Sequence, residues 1–303
     1  MAYSTGDTIL ATHYNGFVTS VNTIWGTGSG DDGYGQSNTL SSVSASDTVT
    51  ATQWSTLLAR ISSAASHQGS SITAISSPSA GDTISAFTAL STNIATIDTN
   101  KLNITSPNYD DTTSTGSGSG SWTTSTVDTF TLTWSSGDEA RYYYNAGGST
   151  RFTFSRTGGT SHTKNTEWSN LATACGTVIF AAQGTTKSGG SGTAETEATT
   201  IGYHDMSTSY QLLFRQYEGD SPYTSNFIAV KGKSNGTQGS NSDKGSVLTF
   251  EITWSDAAAD NFDDTVDGTV TNTVTHRTPN TTQLNNASWT GAPTYASVSF
   301  AQS

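Results

Sequence analysis

The sequence predicts an α+β protein: a small N-terminal helical region followed by a mainly antiparallel, jelly-roll-like β-sandwich with one inserted helix. Three observations carry this. Apolar residues in the first hundred positions recur at intervals of three and four, the period of a helix face. Beyond residue 120 they recur at intervals of two, the period of a strand. The composition joins 30 Gly with 7 Trp, 12 Tyr and 11 Phe, against only 12% charged residues. The aromatics suit a half-buried pleated surface, and the glycines suit the turns between strands.

The helical region opens on a motif written three times. Gly6-Asp7-Thr8-Ile9 precedes Ala11, Ser46-Asp47-Thr48-Val49 precedes Ala51, and Gly81-Asp82-Thr83-Ile84 precedes Ala86. With helix caps at Leu10, Thr50 and Ser85, the preceding Ile9 and Val49 can staple onto Tyr14 and Trp54. Thr50 and Gln53 also have the spacing of a capping box. The helices that follow each carry one apolar face: Tyr14, Phe17, Val18, Val21 and Trp25; Trp54, Leu57, Leu58 and Ile61; Phe87, Leu90, Ile94 and Ile97. The third is heptad-like and reads either as an ordinary amphipathic helix or as one strand of a three-chain stem. Such faces need a partner, in this chain or another copy. Tyr14, Phe17, Val21, Trp25, Trp54, Leu57, Leu58, Ile61, Phe87, Leu90, Ile94 and Ile97 are therefore the candidate oligomer or partner contacts.

Between the first two helices lies the glycine-rich run Gly26 to Gln36. It lacks the following lysine and the strand–loop–helix setting of a phosphate cradle, so a connector or contact loop is expected. Residues 105–120, rich in Ser, Thr and Gly, have a flexible linker's composition. They divide a helical anchor over 1–104 from a β-sandwich over 121–303.

In the second region Phe130, Leu132 and Trp134 share one face of a strand. Further strands are expected at 139–145, 150–156, 176–182, 198–204, 209–217, 225–232, 246–254 and 295–300, with hairpin turns at Gly147-Gly148 and Gly158-Gly159. Trp168, Leu171, Ala172 and Cys175 have the spacing of an inserted helix, which makes Cys175 a small core residue. A strand through Tyr142, Tyr143 and Tyr144 places side chains on both faces. Tyr142 and Tyr144, with Tyr210, Tyr217 and Tyr223, are candidates for a contact surface, since tyrosine offers large area at small entropic cost.

Two segments carry a resemblance. Gly6-Asp7-Thr8-Ile9 with Ala11, Tyr14 and Asn15, then Gly26-Thr27-Gly28-Ser29-Gly30 and Gly33-Tyr34-Gly35-Gln36, resembles the start of virion structural proteins of tailed phages, marine and cyanobacterial ones especially. Tyr143-Tyr144-Asn145-Ala146-Gly147-Gly148 with Arg151-Phe152, then Asn165-Thr166-Glu167-Trp168, resembles a sequence found in phage tail and fibre proteins. Together they cover about half of the chain. The resemblance implies a virion component without an active site to carry over. It leaves open tail, fibre, baseplate or neck appendage.

The chemistry-bearing residues do not form a known catalytic pattern. Net charge is −12, with no Lys/Arg cluster, so neither nucleic acid nor an anionic membrane is an expected partner. One cysteine excludes an internal disulfide, and the five histidines have no zinc spacing. No signal peptide or membrane-spanning run is expected. The acidic stretch Asp256, Asp260, Asp263, Asp264 and Asp267 departs from the EF-hand pattern and reads as a solvated loop, with a Ca²⁺ site as the alternative. No cofactor, metal or catalytic residue is assigned. The expectation is a non-enzymatic virion protein, assembled in the host cytoplasm as a homo-oligomer, a trimer for preference, through contacts with other virion proteins. A host-glycan binding module is the second reading and a polysaccharide depolymerase the third.

Overall fold

The computed structural model describes residues 11–79, 87–236, 245–258, 265–285 and 294–302, the last stretch for its backbone alone. The chain divides into two compact units. One comprises Met1–Asp110, Tyr142–Gly147 and Pro279–Thr290; the other comprises Asp111–Arg141, Gly148–Thr278 and Gly291–Ser303.

The first unit is built on α1 (Ala11–Trp25), α2 (Ala51–Gln68) and α3 (Phe87–Thr99). Helix α2 begins as its sequence dictates. The Thr50 hydroxyl accepts from the Gln53 amide at 3.2 Å, and the Gln53 side-chain oxygen accepts from the Thr50 amide at 2.8 Å. It ends at Gly69, whose φ of 72° lets its N–H reach back to the last carbonyls. The caps expected at Leu10 and Ser85, with the motif residues before them, lie outside the described residues.

The three apolar faces meet one another. Tyr14, Phe17, Val21, Trp25, Trp54, Leu57, Ile61, Leu90, Ile94 and Ile97 are buried in one cluster, and Leu58 and Phe87 pack against it half-buried. Phe17 lies 4.8 Å from Phe87 and 6.3 Å from Trp54, ring centre to ring centre. Of the two expected sources of a partner, this chain or another copy, the chain itself covers these faces. Three narrow stripes on one chain cover one another, and the apolar area leaves water without an outside partner.

Side-chain amides strap extended chain onto this bundle. Asn15 donates to the Val43 carbonyl at 2.8 Å and accepts from the Val43 amide at 2.9 Å. Asn22, two turns on, grips Leu40 in the same way, and Asn93 of α3 grips Thr73. Each amide serves as a substitute backbone pair, satisfying segments that belong to no sheet.

The second unit is a sandwich of two antiparallel sheets. One runs in the order β1 (Tyr109–Ser119), β10 (Thr269–Pro279), β3 (Ser149–Thr157), β4 (Thr177–Phe180), β5 (Thr185–Ser188). The other runs β11 (Thr294–Gln302), β2 (Ser125–Thr133), β9 (Val247–Ser255), β8 (Phe227–Ser234), β7 (Gln211–Tyr217), β6 (Thr196–Glu197). Burial alternates along β2, β9 and β10, as a strand with one face inward requires. The inner faces interdigitate: Phe250 of β9 lies 5.0 Å from Phe152 of β3 and 5.1 Å from Phe180 of β4. Trp168, Leu171 and Ala172 of the inserted helix α5 (Thr163–Ala174) are buried, as their spacing predicts, and Cys175 caps its end, also buried.

Five local expectations are corrected. Residues 105–120 are not a flexible linker, because Tyr109–Ser119 forms β1 on the edge of a sheet. Residues 139–145 are not a strand but most of helix α4 (Gly137–Asn145). The Ser136 hydroxyl accepts from the Glu139 amide at 3.1 Å, and Asp138 and Glu139 place negative charge in the first turn, where the helix dipole favours it. Gly147 follows α4 with φ of 83°, ending a helix rather than turning a hairpin. Gly158-Gly159 likewise leads from β3 toward α5, and 198–204 forms a 3-10 turn at Tyr203–Asp205 in place of a strand.

Candidate functional site

The two segments with a phage resemblance supply most of one buried clasp in the first unit. Backbone bonds first fold the glycine-rich run back onto the end of α1: Tyr34 N–H to Ile24 O at 2.9 Å, Gly35 N–H to Gly26 O at 2.8 Å, Gln36 N–H to Trp25 O at 3.0 Å. Asn145 then fills the loop. Its Nδ2 donates to the carbonyls of Asp32 at 2.9 Å and Gly30 at 3.0 Å. Gly35 has φ of +66°, and a β-carbon there would come within 2.4 Å of the Tyr142 ring, so the loop needs a glycine at that point.

Several polar groups around the clasp bond within the fold. The Tyr34 hydroxyl donates to the Lys101 carbonyl at 2.6 Å and accepts from Gln68 Nε2 at 2.8 Å. Lys101 pairs with Asp32 at 2.5 Å and lies 3.4 Å from Asp31. His67 Nε2 donates to the Ala146 carbonyl at 2.9 Å, and burial pulls its pKa down to about 4. It is therefore neutral at pH 7, and its partner is a carbonyl oxygen.

Several ionisable groups of the second unit are buried beside specific partners. Lys164 and Asp256 pair at 2.5 Å with side chains 2% and 1% exposed. Asp128 points into the sandwich, where Asn272 links it to the Trp254 indole: Trp254 Nε1 to Asn272 Oδ1 at 2.9 Å, Asn272 Nδ2 to Asp128 Oδ2 at 3.5 Å. Burial raises the Asp128 pKa. Burial also pushes the Cys175 thiol up to about 12, away from thiolate reactivity. The acidic stretch is split in use. Asp256 is buried, which corrects the solvated reading for that residue. Asp267 accepts from the Thr160 amide at 3.0 Å and from Asn165 and Arg156, which draws its pKa down despite the desolvation that opposes it. Asp260, Asp263 and Asp264 lie outside the described residues.

Of the tyrosines expected on a contact surface, Tyr144 and Tyr223 are buried, a correction, and Tyr142 is half-buried. On helix α4 the three consecutive tyrosines do not alternate between two faces; Tyr143 and Tyr144 pack edge to face at 4.8 Å. Tyr210 and Tyr217 are exposed, at 39% and 36%. Lys233 stands 4.5 Å above the Tyr210 ring. Arg215 lies 5.5 Å from Tyr217 and is held by Glu195 at 2.8 Å.

Tyr217 lies on the rim of a hollow of about 460 Å³ lined by α5 residues, the 191–195 segment and the end of β7. Its polar lining includes Asn170, Gln216, Glu218 and Asp220. The carboxylates gathered here are far apart along the chain, which hides the place in the sequence: Glu167 on α5, Glu218 and Asp220 just after β7. The fold brings one oxygen from each within 4.8 Å of the others. Burial, then repulsion from Glu167 and Asp220, raises the Glu218 pKa. No family model, curated protein or solved structure matches the chain.

Proposed function

We propose that this chain is a non-enzymatic structural component of a tailed-phage virion, part of a tail, fibre, baseplate or neck appendage, that assembles through protein–protein contacts. The observation that supports it most is the clasp. Residues with a phage resemblance, Gly26 to Gln36 and Tyr143 to Gly147, are spent on holding one another through Asn145 and Gly35. A motif used that way specifies a shape, as a virion part requires, and not a reaction. Because the faces of α1–α3 are covered within the unit, assembly into a homo-oligomer, with a trimer the first state to look for, uses other surfaces.

A second reading is favoured by Tyr217. An exposed aromatic ring beside carboxylates and amides at a hollow suits a sugar ring, which stacks on the aromatic and shares its hydroxyls with the polar groups. Recognition of a host-surface glycan is compatible with a structural role.

Immunogold labelling of purified particles with antibody against the recombinant chain tests the proposal. Label at one repeated position on intact particles is expected. A chain confined to the soluble fraction of infected cells would contradict it.

A further inference from the structure

We propose that Glu167, Glu218 and Asp220 form a Ca²⁺ site at the hollow between α5 and the end of β7. Three carboxylate oxygens within 4.8 Å of one another can all lie on a single ion, since Ca²⁺–oxygen bonds of about 2.4 Å place opposite ligands about 4.8 Å apart. The donor set is oxygen alone, which suits a hard cation and excludes a zinc or copper preference.

A carboxylate cluster of this kind is common on protein surfaces without an ion. What sets this one apart is Glu218. Its Oε1 accepts from the Gly219 amide at 2.8 Å and the Asp220 amide at 3.4 Å, and its Oε2 is buried with no hydrogen-bond partner among the described residues. A buried carboxylate oxygen without a donor is costly, and the cost falls if a cation takes the place of the missing donor. The second oriented ligand is Glu167, whose Oε2 accepts from Asn170 Nδ2 at 3.2 Å. Two cationic residues near this hollow have other partners: Lys187 Nζ donates to Gln216 Oε1 at 2.7 Å and to the carbonyls of Ser191 and Gly192, and Arg215 pairs with Glu195 at 2.8 Å. Binding would tie α5 to the β7–β8 turn, linking an inserted helix to the sheet it covers.

The full chain is titrated with CaCl₂ by calorimetry, after chelator treatment, beside Glu218→Gln and Asp220→Asn. Glu218→Gln keeps the shape of a half-buried side chain, and Asp220 is exposed, so both are expected to fold. The expected result is one saturable site in the wild type, with affinity about tenfold or more weaker in each variant. In parallel, the wild-type Tm rises in millimolar CaCl₂ and the variants' does not. Absence of saturable binding, or binding undiminished in both variants, overturns the proposal; so does binding abolished by Asp260→Asn with both Glu218 and Asp220 intact.

Discussion

The side-chain amide of Asn145 lies 2.9 Å from the carbonyl oxygen of Asp32, a residue 113 positions earlier. Through it the end of α4 is fastened to the glycine-rich loop of the first unit. Asn145→Ala removes the donor shared by the Gly30, Asp32 and Gly33 carbonyls and is expected to lower stability by about 1–3 kcal/mol. Asn145→Asp turns a carboxylate toward those carbonyl oxygens and should cost more. Urea unfolding midpoints measure both; an Asp variant as stable as the wild type would mean that the clasp contributes nothing.

The Lys164–Asp256 pair is expected to behave as a buried ion pair does. Removing either member alone strands a charge and costs about 3–5 kcal/mol, while replacing both with apolar residues of similar volume is close to neutral. Lys164→Met, Asp256→Leu and the double variant form the cycle. A double variant as damaged as the sum of the singles would show that the two side chains act independently.

Protonation of His67 supplies a pH dependence whose sign is fixed by burial. The folded-state pKa is about 4, below the ordinary 6.5 of an unfolded histidine. Between those values the unfolded chain binds more protons, so the His67 contribution is fully present above pH 6.5 and declines as pH falls toward 4. His276, drawn down to about 3, extends the decline. Raised carboxylates, Asp128 and Glu218 among them, act in the opposite sense, so the informative quantity is a difference. His67→Asn should flatten the midpoint-versus-pH curve between pH 6.5 and 4 relative to wild type. Parallel curves would remove His67 from the account.

Where local chemistry decides the structure, the residues were readable. Thr50 and Gln53 form the capping box that their spacing predicts, and Trp168, Leu171 and Ala172 turn inward together. Where tertiary partners decide, they were not. Strand β1 has a linker's composition, and it is held by its neighbour: Ser117 bonds Thr271 at 3.0 Å, and Arg277 bonds Asp111 at 2.9 Å. Strand β10 hides its alternation because Asn272 and His276 share the inward face with Val270 and Val274. The three tyrosines favour a strand by propensity, yet Ser136 with Glu139 starts a helix there, a signal present in the sequence and outweighed by aromatic composition. The carboxylates at the hollow could not be paired from sequence at all, since nothing local relates Glu167 to Glu218.

Gly116 tests the strand that composition disguised. A β-carbon at that position would fall 1.8 Å from Asp128 Oδ2, whose place is set by Asn272. Gly116→Ala must displace β1 or break that polar network, and a loss of about 1–3 kcal/mol is expected. Gly219→Ala, where nothing lies within 4 Å of the added carbon, is the control and should be near neutral. Equal stability of the two variants in thermal unfolding would place residue 116 in a free linker after all.

Quantitative mass spectrometry of gradient-purified particles bears most directly on the virion role. The account predicts peptides of this chain at a fixed, multiple copy number per particle that persists through high-salt washing. A chain that is absent from the particles, or present at a variable amount that washing removes, would contradict it.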